Sequence, residues 1–274
     1  MPELPEVETI CARLARFVEG GRIDDVEIVD SRLTRPHEPG VVAAELVGAE
    51  IVALDRRGKY LVFRVSDSRG LLVHLRRTGS FVVAASGELE DDSYRRAVIR
   101  LDNGSDVAYR DVRRFGTWLL LEPEDVEPYL AVKNGPEPLE SDFTTRFLGE
   151  RLADRRAPVK AALLDQRTAA GLGNIYADEA LWYARVHPLR PAGALTSGEL
   201  RRIHRGVRRA LETGIARQGA TLRDYRTPEG GAGSMQDEFR AYGRAGEPCP
   251  RCGTPIEKTR AAGRGTWFCP ACQS

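Results

Sequence analysis

Residues 166–179, QRTAAGLGNIYADE, place two glycines immediately before a run of helix-forming residues. The predicted helix begins near Asn174, so the N–H groups of the glycine turn would lie at its positive end and could bind an anion. The turn does not fit a dinucleotide site, since no strand precedes it, and it lacks the Gly-Lys-Ser/Thr of a triphosphate loop. A helix–two-turn–helix on a DNA phosphate fits better, with Arg155 and Lys160 nearby. A tight helix–helix connection without a ligand is the alternative.

Periodic apolar residues extend outward from this segment in both directions. Steps of three and four predict helices after the amino terminus and at residues 143–152, 159–165, 174–184 and 197–217. Upstream, short runs with strand character are separated by Gly, Asp, Asn and Arg turns, at residues 23–29, 50–54, 60–65, 71–75, 80–84, 97–101, 107–109 and 117–121. Such spacing indicates an antiparallel sandwich or barrel-like domain. Gly-Pro-Glu-Pro at 135–138 predicts a linker.

The charges of the 274-residue chain are unevenly distributed, although its formal net charge is only +1. Residues 1–150 hold 20 Lys and Arg against 28 Asp and Glu, or −8, and residues 151–274 hold 21 against 12, or +9. This asymmetry indicates an anionic partner for the second half, nucleic acid first, with a solvated charged face as the alternative. No apolar run is long enough to span a membrane and no signal segment is present, so we expect a cytoplasmic protein.

Four of the five cysteines lie in the last 26 residues, as two Cys-x-x-Cys pairs. Two thiolates separated by two residues can occupy adjacent corners of a tetrahedron, and a second pair completes a closed site. The sequence therefore predicts one structural Zn2+ held by Cys249, Cys252, Cys269 and Cys272. The hairpin tip between the pairs carries Lys258, Arg260 and Arg264, which suits phosphate binding, although zinc ribbons also bind proteins.

Four motifs, in order, closely resemble those of the formamidopyrimidine-DNA glycosylase/endonuclease VIII family of base-excision repair enzymes. They are PELPEVE at residues 2–8, RRGKYL at 56–61, RRFG at 113–116, and QRTAAGLGNIYADE followed by the four-cysteine finger. The resemblance spans residues 2–274. It implies an α+β protein with an N-terminal antiparallel β-sandwich catalytic domain (1–132), a linker (133–141), a helix–two-turn–helix domain (142–240) and a zinc finger (241–274), with damaged double-stranded DNA bound in the cleft.

The resemblance also assigns chemistry to the amino terminus, where prolines and acids alone would indicate only a helix start. Pro2 becomes the nucleophile once Met1 is removed, because a secondary amine forms an iminium that accepts electrons during elimination. An α-amino group titrates near neutrality, so a useful fraction is unprotonated. Glu3 is implied to be the general acid/base, and Glu6 to support the site.

The remaining implied site residues contact DNA. Lys59 is implied to assist elimination beside the lesion, and Arg264 to grip flanking phosphates and assist δ-elimination. A flipped base leaves a hole in the stack that side chains must fill. The resemblance implies phosphate contacts or duplex-probing roles for the other members of the set, which are Arg77, Arg113, Phe115, Arg155, Lys160 and Asn174.

Three departures from the family pattern leave lesion preference open. Arg77 stands where the family has methionine in His-Leu-Gly-Met-Ser-Gly, Val112 stands where the family has proline, and residues 94–96, Tyr-Arg-Arg, replace a His-x-His segment. The resemblance still implies a monomeric bifunctional glycosylase and abasic-site lyase for oxidised purines, because residues 218–234 resemble the loop of the purine-type branch. The alternatives are an endonuclease VIII-like enzyme for oxidised pyrimidines, a non-catalytic damage binder and a zinc-ribbon adaptor.

Overall fold

The computed structural model describes the whole chain, Met1–Ser274, and divides it into two compact units. The first unit comprises Met1–Leu130 and Gln218–Gly233, and the second comprises Ala131–Arg217 and Ser234–Ser274. Gln218–Gly233 thus belongs with the first unit, although it lies inside the range predicted for the helix–two-turn–helix domain. None of the helices combines the length and apolar composition that crossing a bilayer requires.

The first unit is the predicted β-sandwich, with two four-stranded antiparallel sheets. One sheet has the order β1-β6-β7-β5 and the other has the order β2-β3-β4-β8. The strands are β1 (Ile23–Ile28), β2 (Ile51–Arg57), β3 (Tyr60–Val65), β4 (Gly70–His74), β5 (Gly79–Ala85), β6 (Arg95–Leu101), β7 (Ser105–Asp111) and β8 (Thr117–Leu121). Residues of both sheets belong to one buried apolar cluster, so the sheets pack face to face.

Helix α1 (Leu4–Val18) supplies one flank of this core. Its residues Val7, Ile10, Leu14 and Val18 are buried in the same cluster as the strands, at the helical spacing seen in the sequence. The packing fixes the beginning of α1, and therefore the amino terminus, against the sandwich.

Two further helices, α2 (Pro39–Leu46) and α3 (Pro123–Lys133), were not predicted from the sequence. Helix α2 is short and includes Val41 and Val42, whose β-branched side chains have low helix propensity. Helix α3 has Pro128 in its interior, a residue that normally disfavours a helix. Tertiary packing outweighs both local signals, since Val42, Leu46, Val126 and Leu130 are buried.

The second unit contains the predicted helix–two-turn–helix, and four of its helices agree with the sequence pattern. They are α4 (Thr145–Leu152), α5 (Val159–Leu163), α6 (Asn174–Ala184) and α7 (Ser197–Ala216). Helices α6 and α7 approach closely at Gly206, where a Cβ would lie 2.4 Å from the carbonyl oxygen of Ala180. The unit ends in a two-stranded hairpin, β9 (Glu257–Ala261) and β10 (Arg264–Phe268).

The glycine turn before α6 is held by the side chain of Gln166. Its amide nitrogen donates to the carbonyl oxygens of Leu164 and Leu172, both at 2.9 Å, and its amide oxygen accepts the N–H of Gly171 at 3.0 Å. Gly171 has φ +77°, a conformation that only glycine adopts easily. The amide of Gln166 therefore sets the turn that leads into α6.

Candidate active site

The amino terminus is fixed by a reciprocal arrangement of buried acids. Pro2 is buried, Glu3 is 4% exposed and Glu6 is 3% exposed, whereas Met1 is 54% exposed. The Glu6 carboxylate accepts the N–H of Glu3 at 2.8 Å, as in a capping box. The backbone that follows Pro2 is consequently held by the Glu6 carboxylate.

The other oxygen of Glu6 holds the segment Gln218–Gly233. Glu6 Oε1 accepts the N–H of Ala220 at 2.8 Å. Gly219 has φ +79°, and a Cβ there would lie 2.7 Å from Glu6 Cγ. Glycine is therefore required for the segment to approach Glu6 this closely, and a single carboxylate joins the segment to the beginning of α1.

Arg13, two turns further along α1, makes a second attachment to the same segment. Its guanidinium donates to Gln218 Oε1 at 2.9 Å and lies 3.2 Å from Glu229 Oε2. The N–H of Val83 on β5 donates to the carbonyl oxygen of Pro228 at 3.1 Å. The segment is thus held to the rest of the first unit at both ends.

Lys59 lies in the tight turn between β2 and β3 and is 6% exposed. The next residue, Tyr60, packs its ring edge-to-face on His74, with centroids 4.8 Å apart. Burial, together with the positive charges of Arg76 and Lys59, lowers the pKa of His74 to about 3. His74 is consequently neutral at physiological pH, and its Nδ1 accepts the N–H of Arg76 at 3.0 Å.

A buried carboxylate, Asp111, joins the two turns predicted to probe the duplex. One of its oxygens accepts the hydroxyl of Thr78 and the N–H of Arg113. The other accepts the N–H groups of Phe115 at 2.9 Å and Gly116 at 2.7 Å. Asp111 is 1% exposed and was not among the predicted site residues. Its position two residues before the RRFG motif was the only signal in the sequence.

The side chains displayed by these two turns are exposed. Arg77 is exposed, Phe115 is 51% exposed, and the Arg113 guanidinium lies 4.9 Å from the centroid of the Phe115 ring. Val112 is 49% exposed beside them. The structure therefore brings Arg77, Arg113 and Phe115 onto neighbouring turns, as a probing role requires.

The departures from the family pattern surround Asp111. Val112 follows it in sequence, and Arg77 precedes its partner Thr78. The carbonyl oxygen of Tyr94 accepts the N–H of Asp111 at 3.0 Å, and Arg96 Nε donates to the carbonyl oxygen of Asp111 at 3.0 Å. The altered positions thus form one contiguous cluster.

Lys160, which the sequence predicts to contact a phosphate, is buried in this structure. It is 0% exposed, and its ammonium lies 2.8 Å from Asp178 Oδ1, 2.8 Å from the carbonyl oxygen of Gly265 and 3.0 Å from Thr266 Oγ1. A lysine ammonium can only donate hydrogen bonds, and the oxygens close to it here belong to the protein. The charged group therefore faces the protein interior in this structure, and the direct contact of Lys160 with a phosphate stays a prediction.

Asn174 and Arg155 remain accessible to an anion. Asn174 is the first residue of α6 and is half-buried, and its amide donates to the carbonyl oxygen of Gly265 at 3.0 Å. The helix that it begins has its positive end here, where anions bind. Arg155 is half-buried and lies 3.5 Å from Asp165. Arg264 is exposed at the start of β10, beside the hairpin tip.

The four terminal cysteines fit a tetrahedral metal site. Their sulfur atoms all lie within 4.8 Å of one another, and Cys252 and Cys269 are 3.6 Å apart. Zn–S bonds of about 2.3 Å give sulfur–sulfur edges of about 3.8 Å in a tetrahedron. Trp182 Nε1 donates to Cys249 Sγ at 3.4 Å, and hydrogen bonds from Thr254 lower the pKa of Cys252 to about 6. These effects favour the thiolate forms of Cys249 and Cys252 that a metal ion requires, whereas burial raises the pKa values of Cys269 and Cys272.

Comparison with known proteins identifies the same three parts. Residues 1–118 match the formamidopyrimidine-DNA glycosylase N-terminal domain, residues 134–226 match the H2TH domain of that enzyme, and residues 246–274 match a zinc finger found in FPG and IleRS. The chain is 49% identical over 275 residues to a formamidopyrimidine-DNA glycosylase of Symbiobacterium thermophilum, covering 100% of this chain and 89% of the relative.

Two solved structures resemble the whole chain. One is a Lactococcus lactis FPG mutant in complex with DNA containing Fapy-dG, with a TM-score of 0.93, 37% identity and 100% of both chains covered. The other is Lactococcus lactis Fpg with DNA containing an abasic site, with a TM-score of 0.92, 37% identity and 99% of both chains covered. At this identity and coverage, the similarity extends through both units.

Proposed function

The chain belongs to the formamidopyrimidine-DNA glycosylase family, and on that premise we propose that it is a bifunctional DNA glycosylase and abasic-site lyase for oxidised purines. The observation that carries the proposal is the amino terminus, where Pro2 is buried beside Glu3 and Glu6 and the N–H of Glu3 is held by Glu6. A nucleophile fixed in this way does not need to be ordered when the substrate binds.

The proposed reaction begins once Met1 has been removed, because the Pro2 nitrogen is otherwise part of an amide. The nitrogen lone pair forms a bond to C1′ of the nucleoside, and the base departs with the electrons of the glycosidic bond and takes up a proton. Opening of the sugar ring, with a proton delivered to its oxygen, leaves an iminium on Pro2. Glu3 is the group we propose for these proton transfers.

Elimination follows from the iminium, which withdraws electrons from C2′. Loss of a C2′ proton expels the 3′ phosphate, and loss of the C4′ proton then expels the 5′ phosphate. We assign Lys59 and Arg264 to these two steps, because each carries a positive charge that stabilises a departing phosphate. Hydrolysis of the iminium regenerates the free Pro2 amine.

The duplex is the proposed partner, and the protein would bind it as a monomer. We assign Arg113 and Phe115 to the gap left by the flipped base, since their turn is exposed and held by Asp111. We assign Asn174 and Arg155 to the phosphate backbone. The two solved relatives are complexes with DNA that contains Fapy-dG and with DNA that contains an abasic site, which supports both kinds of DNA as ligands of this chain.

Preference for purines over pyrimidines is supported by the segment Gln218–Gly233. It resembles the loop that closes over the flipped base in the purine-type branch of the family, and here Glu6 and Arg13 hold it. The second candidate is an endonuclease VIII-like preference for oxidised pyrimidines. The observation in its favour is Arg77, which stands where the family pattern has methionine. A panel of duplexes that contain 8-oxoguanine, formamidopyrimidine or an oxidised pyrimidine separates the two.

We also propose that the cysteine site holds one Zn2+. The ion would bind Cys249, Cys252, Cys269 and Cys272 and crosslink the two ends of the finger, with no position left for a substrate. The observation in favour is the sulfur cluster itself, whose spacing suits a tetrahedral thiolate complex.

Borohydride trapping of a covalent DNA adduct tests the proposal. We expect the parent protein to trap with abasic DNA, and Pro2→Gly or a protein with Met1 retained to trap little or none. Mass spectrometry must verify the terminus of each sample. Full trapping by a protein with Met1 intact would contradict the proline mechanism, and no trapping by a correctly processed parent would favour a non-catalytic damage binder.

Glu3→Gln separates base excision from strand cleavage. We expect it to lose base excision by about 100-fold or more, which is typical of removing a general acid or base, and to retain much of the cleavage of preformed abasic sites. Glu45→Gln, a remote charge paired with Arg69, is the matched control. Equal loss of both activities would refute the assigned role of Glu3.

A further inference from the structure

The buried ammonium of Lys160 is connected to the exposed arginine of the hairpin. Lys160 donates to the hydroxyl of Thr266, and that hydroxyl donates to the carbonyl oxygen of Arg264 at 3.1 Å. Lys160 also donates to the carbonyl oxygen of Gly265, the residue next to Arg264. Two consecutive backbone carbonyls of β10 are therefore held through one charged group.

The partner of Lys160 holds the next part of the same strand. Asp178 Oδ2 accepts the N–H of Trp267 at 3.1 Å, while its other oxygen lies 2.8 Å from the Lys160 ammonium. Asn174 contributes a further bond to the carbonyl oxygen of Gly265. The strand β10 is thus bonded, at each residue from Arg264 to Trp267, to side chains of α5 and α6 or to groups that they hold.

Because this network is buried, its hydrogen bonds can form in only one arrangement of its residues. Lys160, Asp178 and Thr266 are each 0% exposed. Two charges can be kept out of water only when their geometry and hydrogen bonds are nearly complete. An alternative position of β10 would break these bonds inside the protein, where water cannot replace them. The network therefore restricts β10 to one position.

We propose that Lys160 and Asp178 are positioning residues, which fix the backbone of Arg264 through Thr266, Gly265 and Trp267 so that its guanidinium meets the phosphate expelled in the second elimination. This rests on the proposed function, in which Arg264 assists that step. The neighbouring Glu179 accepts the N–H groups of Arg240, Ala241 and Tyr242, each at 2.9 Å, so both acids at the end of the NIYADE motif bind backbone N–H groups of the C-terminal part of the chain.

The test compares Thr266→Val, which removes the hydroxyl, with Thr266→Ser, which keeps it. Preformed abasic DNA is the substrate, and the rates of the first and second eliminations are measured from the two product lengths. We expect Thr266→Val to slow the second elimination about tenfold, since misplacing a reacting group by a small distance has large effects. Borohydride trapping, the first elimination and bound zinc should stay at the parent level, and Thr266→Ser should restore the second step.

Lys160→Met is the stronger variant, because it replaces the ammonium, with its bonds to Asp178, Gly265 and Thr266, by an apolar side chain of similar length. Where it folds, we expect the same selective loss, larger than in Thr266→Val. The proposal is overturned if Thr266→Val leaves the product ratio unchanged, or if both eliminations, trapping and zinc fall together. Arg264→Ala is run in parallel: if it leaves the second step intact, the assignment of Arg264 fails first, and with it the proposed function of the network.

Discussion

Arg77 stands where the family pattern has a methionine, a side chain of different physical character. Methionine is an adaptable apolar group that fills irregular gaps, and filling the gap offsets part of the cost of unstacking a base, a few kcal/mol. An arginine can stack its planar guanidinium on a base or extend to a phosphate. Arg77 is exposed on its turn, so both positions are open to it.

Arg77→Met should therefore increase excision of 8-oxoguanine from duplex DNA relative to cleavage of an abasic site. It should also reduce the slope of log K against log salt by about 0.9, the value for one neutralised phosphate. Excision assays with both substrates and binding titrations at several salt concentrations measure the two effects. If neither the ratio nor the slope changes, Arg77 is a surface charge without a probing role.

Lys160 shows what a sequence cannot reveal at the residue scale. The motif placed it near the phosphate-binding turn, and surface exposure is the usual state of lysine. Only the tertiary structure brings Gly265 and Thr266, more than a hundred positions away, onto its ammonium. The Cys-x-x-Cys pairs were predictable because metal ligation imposes a local spacing, whereas a buried ion pair imposes none.

The turn after β4, which carries the exposed Arg77, is held by His74, a side chain that can take up a proton. His74 Nδ1 accepts the N–H of Arg76, whose φ is +51°. Protonation of Nδ1 would remove this acceptor and place a positive charge beside Arg76 and Lys59. The folded state therefore keeps His74 neutral, and its pKa lies near 3 instead of 6.5.

The pH dependence of stability follows from this depressed pKa. Between about pH 3 and pH 6.5 the unfolded chain binds the proton and the folded chain does not, so the free energy of unfolding increases as pH rises. For one group the slope is about 1.4 kcal/mol per pH unit, and it vanishes above pH 6.5.

His74→Asn should remove that slope, because the Asn oxygen can accept the N–H of Arg76 without titrating. The measurement is urea unfolding of both proteins at several pH values from 4 to 8. The difference in unfolding free energy should change by about 1.4 kcal/mol per pH unit below pH 6.5 and stay constant above it. A constant difference over the whole range would show that His74 does not titrate as inferred.

At the scale of elements, all eight strands of the sandwich coincide with runs predicted from the sequence. Buried and half-buried residues alternate along strands such as β8, where Trp118 and Leu120 face the core, and this alternation is visible in the sequence. Helix α3 was missed for the opposite reason, since Pro128 is a local signal against a helix and the stabilising contacts of Val126 and Leu130 are made with distant strands.

For the molecule as a whole, the finger should depend on its metal more than the sandwich does. Cys252→Ser, or treatment with a chelator, should release zinc and free the hairpin that carries Arg264. DNA affinity should fall, and the salt slope should decrease by about 0.9 for each phosphate that the finger no longer neutralises, whereas amide hydrogen exchange in the sandwich should be unchanged. Metal analysis, titration and exchange measure these effects; unchanged zinc and affinity would refute the site.

The division of the chain into units was the least predictable feature at this scale. Composition predicts a break at Gly135-Pro136, since proline and glycine act locally, and the units divide nearby, between Leu130 and Ala131. The return of Gln218–Gly233 to the first unit depends on Glu6 and Arg13, which lie more than two hundred positions earlier. No local pattern encodes such a partner.

This return has a consequence for the timing of synthesis on the ribosome. All eight sandwich strands precede Leu130, but the segment that binds the Glu6 carboxylate ends at Gly233, 103 residues after Leu130. At roughly 5–20 residues per second the ribosome needs about 5–20 s to make that stretch. During this interval the nascent sandwich lacks the segment that Glu6 and Arg13 hold, so these two side chains acquire their partners only after the eight strands have been made.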